Sequence, residues 1–537
     1  MLHRRRTWIE GGVLLATLAL LRAPSLIEPP WSADEGTYAN IGRSLDLGGV
    51  LYRTVWDNKP PGVYWLAAAV SSGGASVLRV RVALCVLVAA GAALVWVAGR
   101  RLGSPRAGLV AALLFAVLAS VPNFDGNQLN AEIPGAVFAL AGMALLVARF
   151  PTGRVRAAGA GALLGAALLF KATFAADVLA GLAVPALAAL AAGRRPGRAE
   201  IAPTALIGAG ALAAVGLALV PLALQGARPA FVDVIVHPDT RYAQWAQLAG
   251  PNGGEPTGFD LTPSLLLQVL GITRLLAVLA AGAVLAVVLA RRRRRSAALV
   301  TWWLSCDLAA CMADSRGFTH YAQQLEGVLS IAAALAAAAA WRRRRPAWRV
   351  VAAGALVAVW PVMIGALFLP RAEAALAQRH RLPPVFLERS SGRQDLGYYA
   401  RAGRLVLGRI GLDAYRADFA GSQYPADMRR AEVLRRHSRP GHPVFVWGWT
   451  SSWVYALADR RPASRFIWMN SAYHLYRGAE RLLLADLASS PPEVLLAEQP
   501  LTPELRSLLE GRGYMLVADP AGDCWLAPGA PGRPDSS

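Results

Sequence analysis

Two polar stretches, WSADEGTYANIGRS (31–44) and WDNKPPGVYW (56–65), interrupt a chain that is otherwise mostly apolar. The first holds the adjacent acids Asp34 and Glu35; the second holds Lys59. A carboxylate takes the proton of a hydroxyl pressed against it, and a lysine ammonium binds phosphate as a point charge. Lys59 and Lys171 are the only lysines among 55 Lys and Arg residues. Where nearly all positive charge is arginine, two persisting lysines point to positions that want a compact ammonium rather than a planar fork. Further groups of this kind are Asp125 and Glu132 in NFDGNQLNAEIPG (123–135) and Lys171 in FKATFAAD (170–177). DSRGFTHYAQQLEG (314–327) adds Arg316, His320 and Tyr321, with Gln324 one turn below His320. Together they suit acid–base chemistry on an anionic substrate.

Each group also has a plainer reading. Ser32 followed by Glu35 spells a capping box, so Glu35 can be a helix-start residue. Asp34 in a first helical turn gains a few tenths to about 1 kcal/mol from the helix dipole, which explains tolerance rather than need. Tyr38, Ile41 and Leu45 recur at helical spacing and predict a short amphipathic helix lying on the outer surface. Pro60-Pro61 holds Lys59 extended, and Tyr64 and Trp65 read as membrane-interface anchors. His320 alone reads as structural; beside Arg316, Tyr321 and the two lysines it reads as part of an anion site.

What must position these residues is a membrane scaffold. The 537 residues are 55% hydrophobic, with a mean hydropathy of +0.39, and apolar runs of bilayer-crossing length recur. The formal charge of +21 sits in short arginine clusters between these runs, the pattern of cytoplasmic loops rather than of a nucleic-acid surface. Placing the clusters at 4–6, 100–106, 149–156, 194–198, 291–295 and 342–349 inside gives eleven spans. They fall near 8–26, 78–99, 107–121, 132–148, 157–170, 174–192, 203–224, 264–290, 296–313, 320–341 and 348–369. The N-terminus is then cytoplasmic and the C-terminus extracytoplasmic, in a cell (plasma or inner) membrane. Asp34, Glu35, Lys59, Asp125, Glu132 and Lys171 all fall on the outer side. Cys85, Cys306, Cys311 and Cys524 show no metal or disulfide spacing.

Residues 370–537 change character. HPVFVWGW (442–449) and PEVLLAEQ (492–499) predict buried strands, and AERLLLADLAS (479–489) an amphipathic helix. The expected organisation is a transmembrane domain over 1–369, with surface helices in the first outer loop (27–77), and an extracytoplasmic α/β domain over 370–537.

The stretches YANIGRSL and GGVLYRTVWDNKPPGVYW, together with Asp34-Glu35, Glu132, Lys171 and THYAQQL, resemble the GT-C superfamily of integral-membrane glycosyltransferases. The similarity is strongest to the protein O-mannosyltransferase and lipid A aminoarabinose transferase branches. It implies a polytopic helical fold and an inverting transfer of a sugar from a polyprenyl-phosphate carrier to an outer hydroxyl acceptor. It places the general base on Asp34 and the donor phosphate on Lys59, Lys171, His320 and Tyr321, to which the polar grouping adds Arg316. Glu35 and Glu132 join Asp34 as candidate catalytic acids. Relatives divide over a divalent metal, for which Asp125 and Glu132 are the candidate ligands; Asn58 stands where some carry a carboxylate. The implied partners are the lipid-linked donor, the acceptor and membrane lipids, with no nucleic acid. The competing class is a transporter or flippase of a lipid-linked or anionic substrate, against which stand the one-sided placement of the charges and the lack of repeated halves.

Overall fold

A computed structural model of the chain describes residues 2–74, 76–147, 153–236, 294–313, 319–341, 346, 392–419, 424–448, 453–467 and 478–533. Helices stand where the apolar runs predict them: α1 (Leu2–Arg22), α2 (Ala33–Asp46), α3 (Gly62–Ser71), α4 (Val77–Leu102), α5 (Pro105–Leu118) and α6 (Glu132–Val147). They continue with α7 (Arg154–Leu168), α8 (Ala175–Ala191), α9 (Arg198–Leu224), α10 (Arg294–Ala313) and α11 (Gln323–Trp341). The spans expected at 264–290 and 348–369 lie outside the described residues. Among the described residues, five segments are individually long and apolar enough to cross a bilayer: Thr7–Leu26, Val77–Leu102, Ala172–Ala191, Arg198–Leu224 and His320–Trp341. The chain is a polytopic α-helical membrane protein.

By its internal contacts the chain forms two units. The first comprises 1–23, 84–218 and 246–398. Here α6 packs on α7, α8 on α10, and α11 on α5, α6 and α10. The more apolar of two long segments is not the more buried one: the α9 span has a mean hydropathy of 2.2 and the span containing α11 only 1.4. The fold separates them: the α11 span is 83% buried and the α9 span 17%. α11 is therefore the central helix, and α9 turns Leu212 and Leu217 outward, as a lipid-facing helix does. Small residues let α7 and α9 approach: a side chain at Gly161 would strike the Ile207 backbone, and one at Gly210 the Ala158 carbonyl. The acids nearest the arginine loops are paired, Glu10 with Arg100 at 3.6 Å and Glu200 with Arg194 at 3.2 Å.

The second unit comprises 24–83, 219–245 and 399–537. Its sheet has the order β1-β2-β4-β3, from β1 (Val444–Trp447), β2 (Val494–Ala497), β3 (Met515–Asp519) and β4 (Gly522–Leu526). β1 and β2 are parallel, in register Val444 to Val494, and buried at every position. This is why they read as continuous apolar runs. β4 pairs antiparallel with both β2 and β3. Four helices accompany the sheet: α12 (Tyr424–Arg436), α13 (Val454–Ala458), α14 (Ala479–Ser489) and α15 (Pro503–Gly511).

The division by contacts thus cuts differently from the division by composition at 369/370, because the first loop docks on the C-terminal segment. Trp56 donates its backbone N–H to Arg465 O at 2.7 Å and sets its ring edge-on against Phe466. For the same reason α2 is not a half-exposed surface helix: it is buried on most sides, Asn40 and Ser44 included. Tyr64, expected as an interface anchor, is instead fully buried.

Candidate active site

In the second unit, Ser32 caps α2, its Oγ accepting the Glu35 N–H at 3.4 Å. This sets Asp34 in the first turn. Lys59 Nζ lies 3.5 Å from Asp34 Oδ2 and 5.1 Å from the centroid of the Tyr38 ring, whose hydroxyl donates to the same Oδ2 at 3.4 Å. These contacts are long, and the two side chains keep 36% (Asp34) and 22% (Lys59) exposure, so both can exchange partners.

The Lys59 backbone is held far more firmly than its ammonium. Its N–H donates to Tyr64 Oη at 3.1 Å, and its carbonyl accepts from Tyr52 Oη at 2.7 Å. Tyr64 Oη in turn donates to the buried Asp57 at 2.7 Å. Burial raises the Asp57 carboxyl above the ordinary range, against the pull of Lys59 and of the Tyr64 hydroxyl. The WDNKPP segment is thus a rigid base carrying one movable cation.

Glu35 is differently employed. It reaches Arg81 Nη2 at 2.8 Å, both side chains at zero exposure, with Glu28 3.8 Å from the same nitrogen. Trp31 donates to Glu28 at 2.7 Å. This buried cluster fixes the start of α2 to the first turns of α4 and gives Glu35 a structural role beside Asp34. Arg81 is not marked out in the sequence, because an arginine in an apolar run looks like a span boundary.

In the first unit, Glu132 opens α6 and Lys171 precedes a short 3-10 turn, Ala172–Phe174. Lys171 Nζ lies 2.7 Å from Glu132 Oε1 and 3.2 Å from the Tyr321 ring centroid, a cation–π contact added to an ion pair. His320 Nδ1 is 3.2 Å from Asp125 Oδ2, and its Nε2 is 4.0 Å from Glu132 Oε1. Asp125 has φ +54° and also accepts from Gln128 at 2.8 Å.

The THYAQQ motif organises all of this. Beyond His320 and Tyr321, Gln323 donates to Phe124 O at 2.7 Å, and Gln324 to Thr173 O at 3.3 Å and to Asp177 at 3.0 Å. One helix start therefore holds both the 122–128 loop and the turn that carries Lys171. Arg316 lies outside the described residues.

Sequence reasoning passed over Asp177 and Asp307, buried in the membrane helices α8 and α10. Asp177 also accepts from Trp303 Nε1 at 2.8 Å. An acid inside an apolar run was the available signal.

The metal candidates Asp125 and Glu132 both have partners of their own. Glu132 Oε1 already carries the Lys171 ammonium, and Asp125 is shared by His320 and Gln128. Among the described residues no group of three His, Cys, Asp or Glu gathers to hold a metal. Each unit offers a lysine beside an acid at a helix start and a tyrosine ring: Lys59 with Asp34 and Tyr38 in the second, Lys171 with Glu132 and Tyr321 in the first.

The family model for dolichyl-phosphate-mannose-protein mannosyltransferase matches residues 58–220. Comparison with curated proteins gives no match. Among solved structures, the chain is similar to ArnT from Cupriavidus metallidurans bound to undecaprenyl phosphate, at a TM-score of 0.55 and 15% identity over 97% of this chain and 98% of that one. Its apo state gives 0.53 and 17% over 98% of each. The archaeal oligosaccharyltransferase AglB from Archaeoglobus fulgidus, in complex with an inhibitory peptide and a dolichol-phosphate, gives 0.46 and 13% over 97% of this chain and 75% of that one. At such identities the likeness to ArnT is one of fold.

Proposed function

The chain has the GT-C fold, and we propose that it is a membrane glycosyltransferase that moves a sugar from a polyprenyl-phosphate carrier to a hydroxyl acceptor on the extracytoplasmic side. The acceptor oxygen attacks the anomeric carbon from the face opposite the phosphate. The bond from that carbon to the phosphate oxygen breaks, the configuration inverts, and polyprenyl phosphate leaves. The acceptor proton passes to Asp34.

The observation that carries this reading is the loose Asp34–Lys59 pair, 3.5 Å apart and partly exposed on a rigid base. When a donor phosphate takes the Lys59 ammonium, the Asp34 carboxylate loses its cation and becomes the stronger base. In the first unit the GT-C resemblance assigns Lys171, held by Glu132 and Tyr321, and His320-Tyr321 to the donor phosphate, and the grouping of polar residues in 314–327 adds Arg316. Fixed cations stabilise the charge that develops on the departing phosphate. Glu132 orients Lys171, and Glu35 anchors α2.

Support for a lipid-phosphate donor comes from two sides: the family model matched by 58–220 is that of a dolichyl-phosphate-mannose enzyme, and the similar fold was crystallised with undecaprenyl phosphate. The test is to incubate the purified protein with a panel of polyprenyl-phospho-sugars and candidate acceptors and to measure release of the carrier. Acceptor-dependent release with at least one donor is expected. Transport of a lipid-linked substrate across vesicles without any carrier release would replace this reading by that of a flippase.

A further inference from the structure

The acid and lysines alone assign no part in the transfer to residues 399–537, yet this segment grips the helix that carries Asp34. Trp453, just before α13, donates its indole Nε1–H to Ser32 O at 3.0 Å, within the N-terminal cap of α2. One turn into α13, the Ala456 N–H donates to Asn40 Oδ1 at 2.8 Å. The first N–H groups of a helix have no partner within it, and here a side chain of α2 supplies one. At the far end of α13, Asp459 Oδ1 meets Arg43 Nε at 2.9 Å. The three contacts fall at 32, 40 and 43, so Asp34 lies between the first and second.

The grip is anchored in turn. The Trp453 N–H donates to Asp427 Oδ2 at 3.0 Å, Arg430 pairs with Asp427 at 3.0 Å, and Arg430 also binds Glu498, which follows β2. A continuous path of hydrogen bonds and ion pairs therefore runs from the end of β2 through α12 and Trp453 to the cap of α2. Both Trp453 and Asn40 are about 1% exposed. A buried polar contact that is fully satisfied fixes geometry more firmly than an apolar one.

Resting on the assignment of Asp34 as base, we propose that Trp453 and Asn40 are positioning residues for the transfer: the α/β segment holds α2 at the depth and rotation that present Asp34 to the acceptor. Small displacements of a catalytic group reduce turnover steeply while leaving substrate binding to other residues. Neither side chain touches the reacting atoms, so the effect belongs to kcat rather than to the donor KM.

The test compares full-length wild-type protein with Trp453→Phe, which keeps an aromatic ring but deletes the indole N–H, and with Asn40→Leu and Asn40→Asp. Carrier release gives kcat and donor KM, and hydrogen–deuterium exchange follows α2 against β1 and β2. Trp453→Phe and Asn40→Leu are expected to lower kcat about tenfold with donor KM within about twofold. Exchange should quicken in 33–46 and stay unchanged in 444–447 and 494–497. Asn40→Asp, which keeps an acceptor oxygen for the Ala456 N–H, should recover most of the loss.

Should a buried substitution also loosen the sheet, Asp459→Asn supplies the answer. Asp459 is 59% exposed at φ +55°, a conformation asparagine tolerates, and the variant should lower kcat about two- to threefold through α2 alone. Wild-type kcat in these variants, with Asp34→Asn inactive, overturns the positioning role and leaves the base assignment standing. Full activity of Asp34→Asn overturns the base assignment itself, and the exchange data still report whether the grip on α2 exists.

Discussion

Lys171 Nζ is held between Glu132 Oε1 at 2.7 Å and the face of Tyr321 at 3.2 Å from the ring centroid. A flexible side chain is thereby fixed at one point by two different attractions, one to a carboxylate and one to a π-face.

That fixation predicts a strict requirement for lysine. Lys171→Ala should weaken use of the lipid donor about ten- to hundredfold in KM, the worth of one hydrogen bond to a charged group. Lys171→Arg should not restore it fully, because a guanidinium that stacks on Tyr321 and forks onto Glu132 presents no compact ammonium to the phosphate. Steady-state kinetics with varied donor decide this; unchanged KM in both variants removes Lys171 from donor binding.

Asp34 and Glu35 should part company on substitution. Glu35→Gln weakens a buried pair and should lower the melting temperature while the folded protein retains transfer. Arg81→Met leaves two carboxylates buried without their guanidinium and should cost about 3–5 kcal/mol of stability. Thermal unfolding in detergent, read beside carrier release, checks both. A Glu35→Gln protein of wild-type stability and no activity would move Glu35 into the chemistry.

A pH dependence belongs to the second unit. Burial pushes the Glu498 carboxyl up to about 7, despite the Arg430 guanidinium against it. An unfolded glutamate titrates near about 4.3, so between these values the folded chain holds a proton that the unfolded chain has released. The stabilising contribution is complete below about 4.3 and is lost as pH rises through about 7. Burial moves Asp427 in the same direction. The wild-type melting temperature should fall across this window relative to that of Glu498→Gln; parallel curves would contradict the linkage.

Orientation is open to labelling. With the native cysteines replaced, Arg295→Cys should resist a membrane-impermeant thiol reagent in intact cells and react after permeabilisation, since arginine-rich loops stay inside. Reaction from outside would invert the topology.

The sequence made the helices legible because lipid leaves few alternatives to a run of apolar residues with satisfied backbone. It also made β1 and β2 legible, as continuous apolar runs buried on both faces. It did not reveal which spans are central, since α9 is the more apolar of the two and α11 the more buried. Residue types marked Asp34, Lys59, Glu132, Lys171 and His320 as candidates. Their pairing did not follow: Lys59 meets Asp34 from 25 positions away and Lys171 meets Glu132 from 39. Tyr64 and Asn40 were misread or passed over for one reason. Each is buried by chain that lies far off in sequence or by a polar partner, and local periodicity sees neither.

The most direct measurement is the initial rate of acceptor-dependent carrier release by Asp34→Asn beside wild type, at saturating donor, with both proteins shown to be folded by their melting temperatures. General-base removal costs about a hundredfold or more, so the variant should fall to that level or below while still binding the donor. A folded Asp34→Asn protein that releases carrier at the wild-type rate would contradict the account.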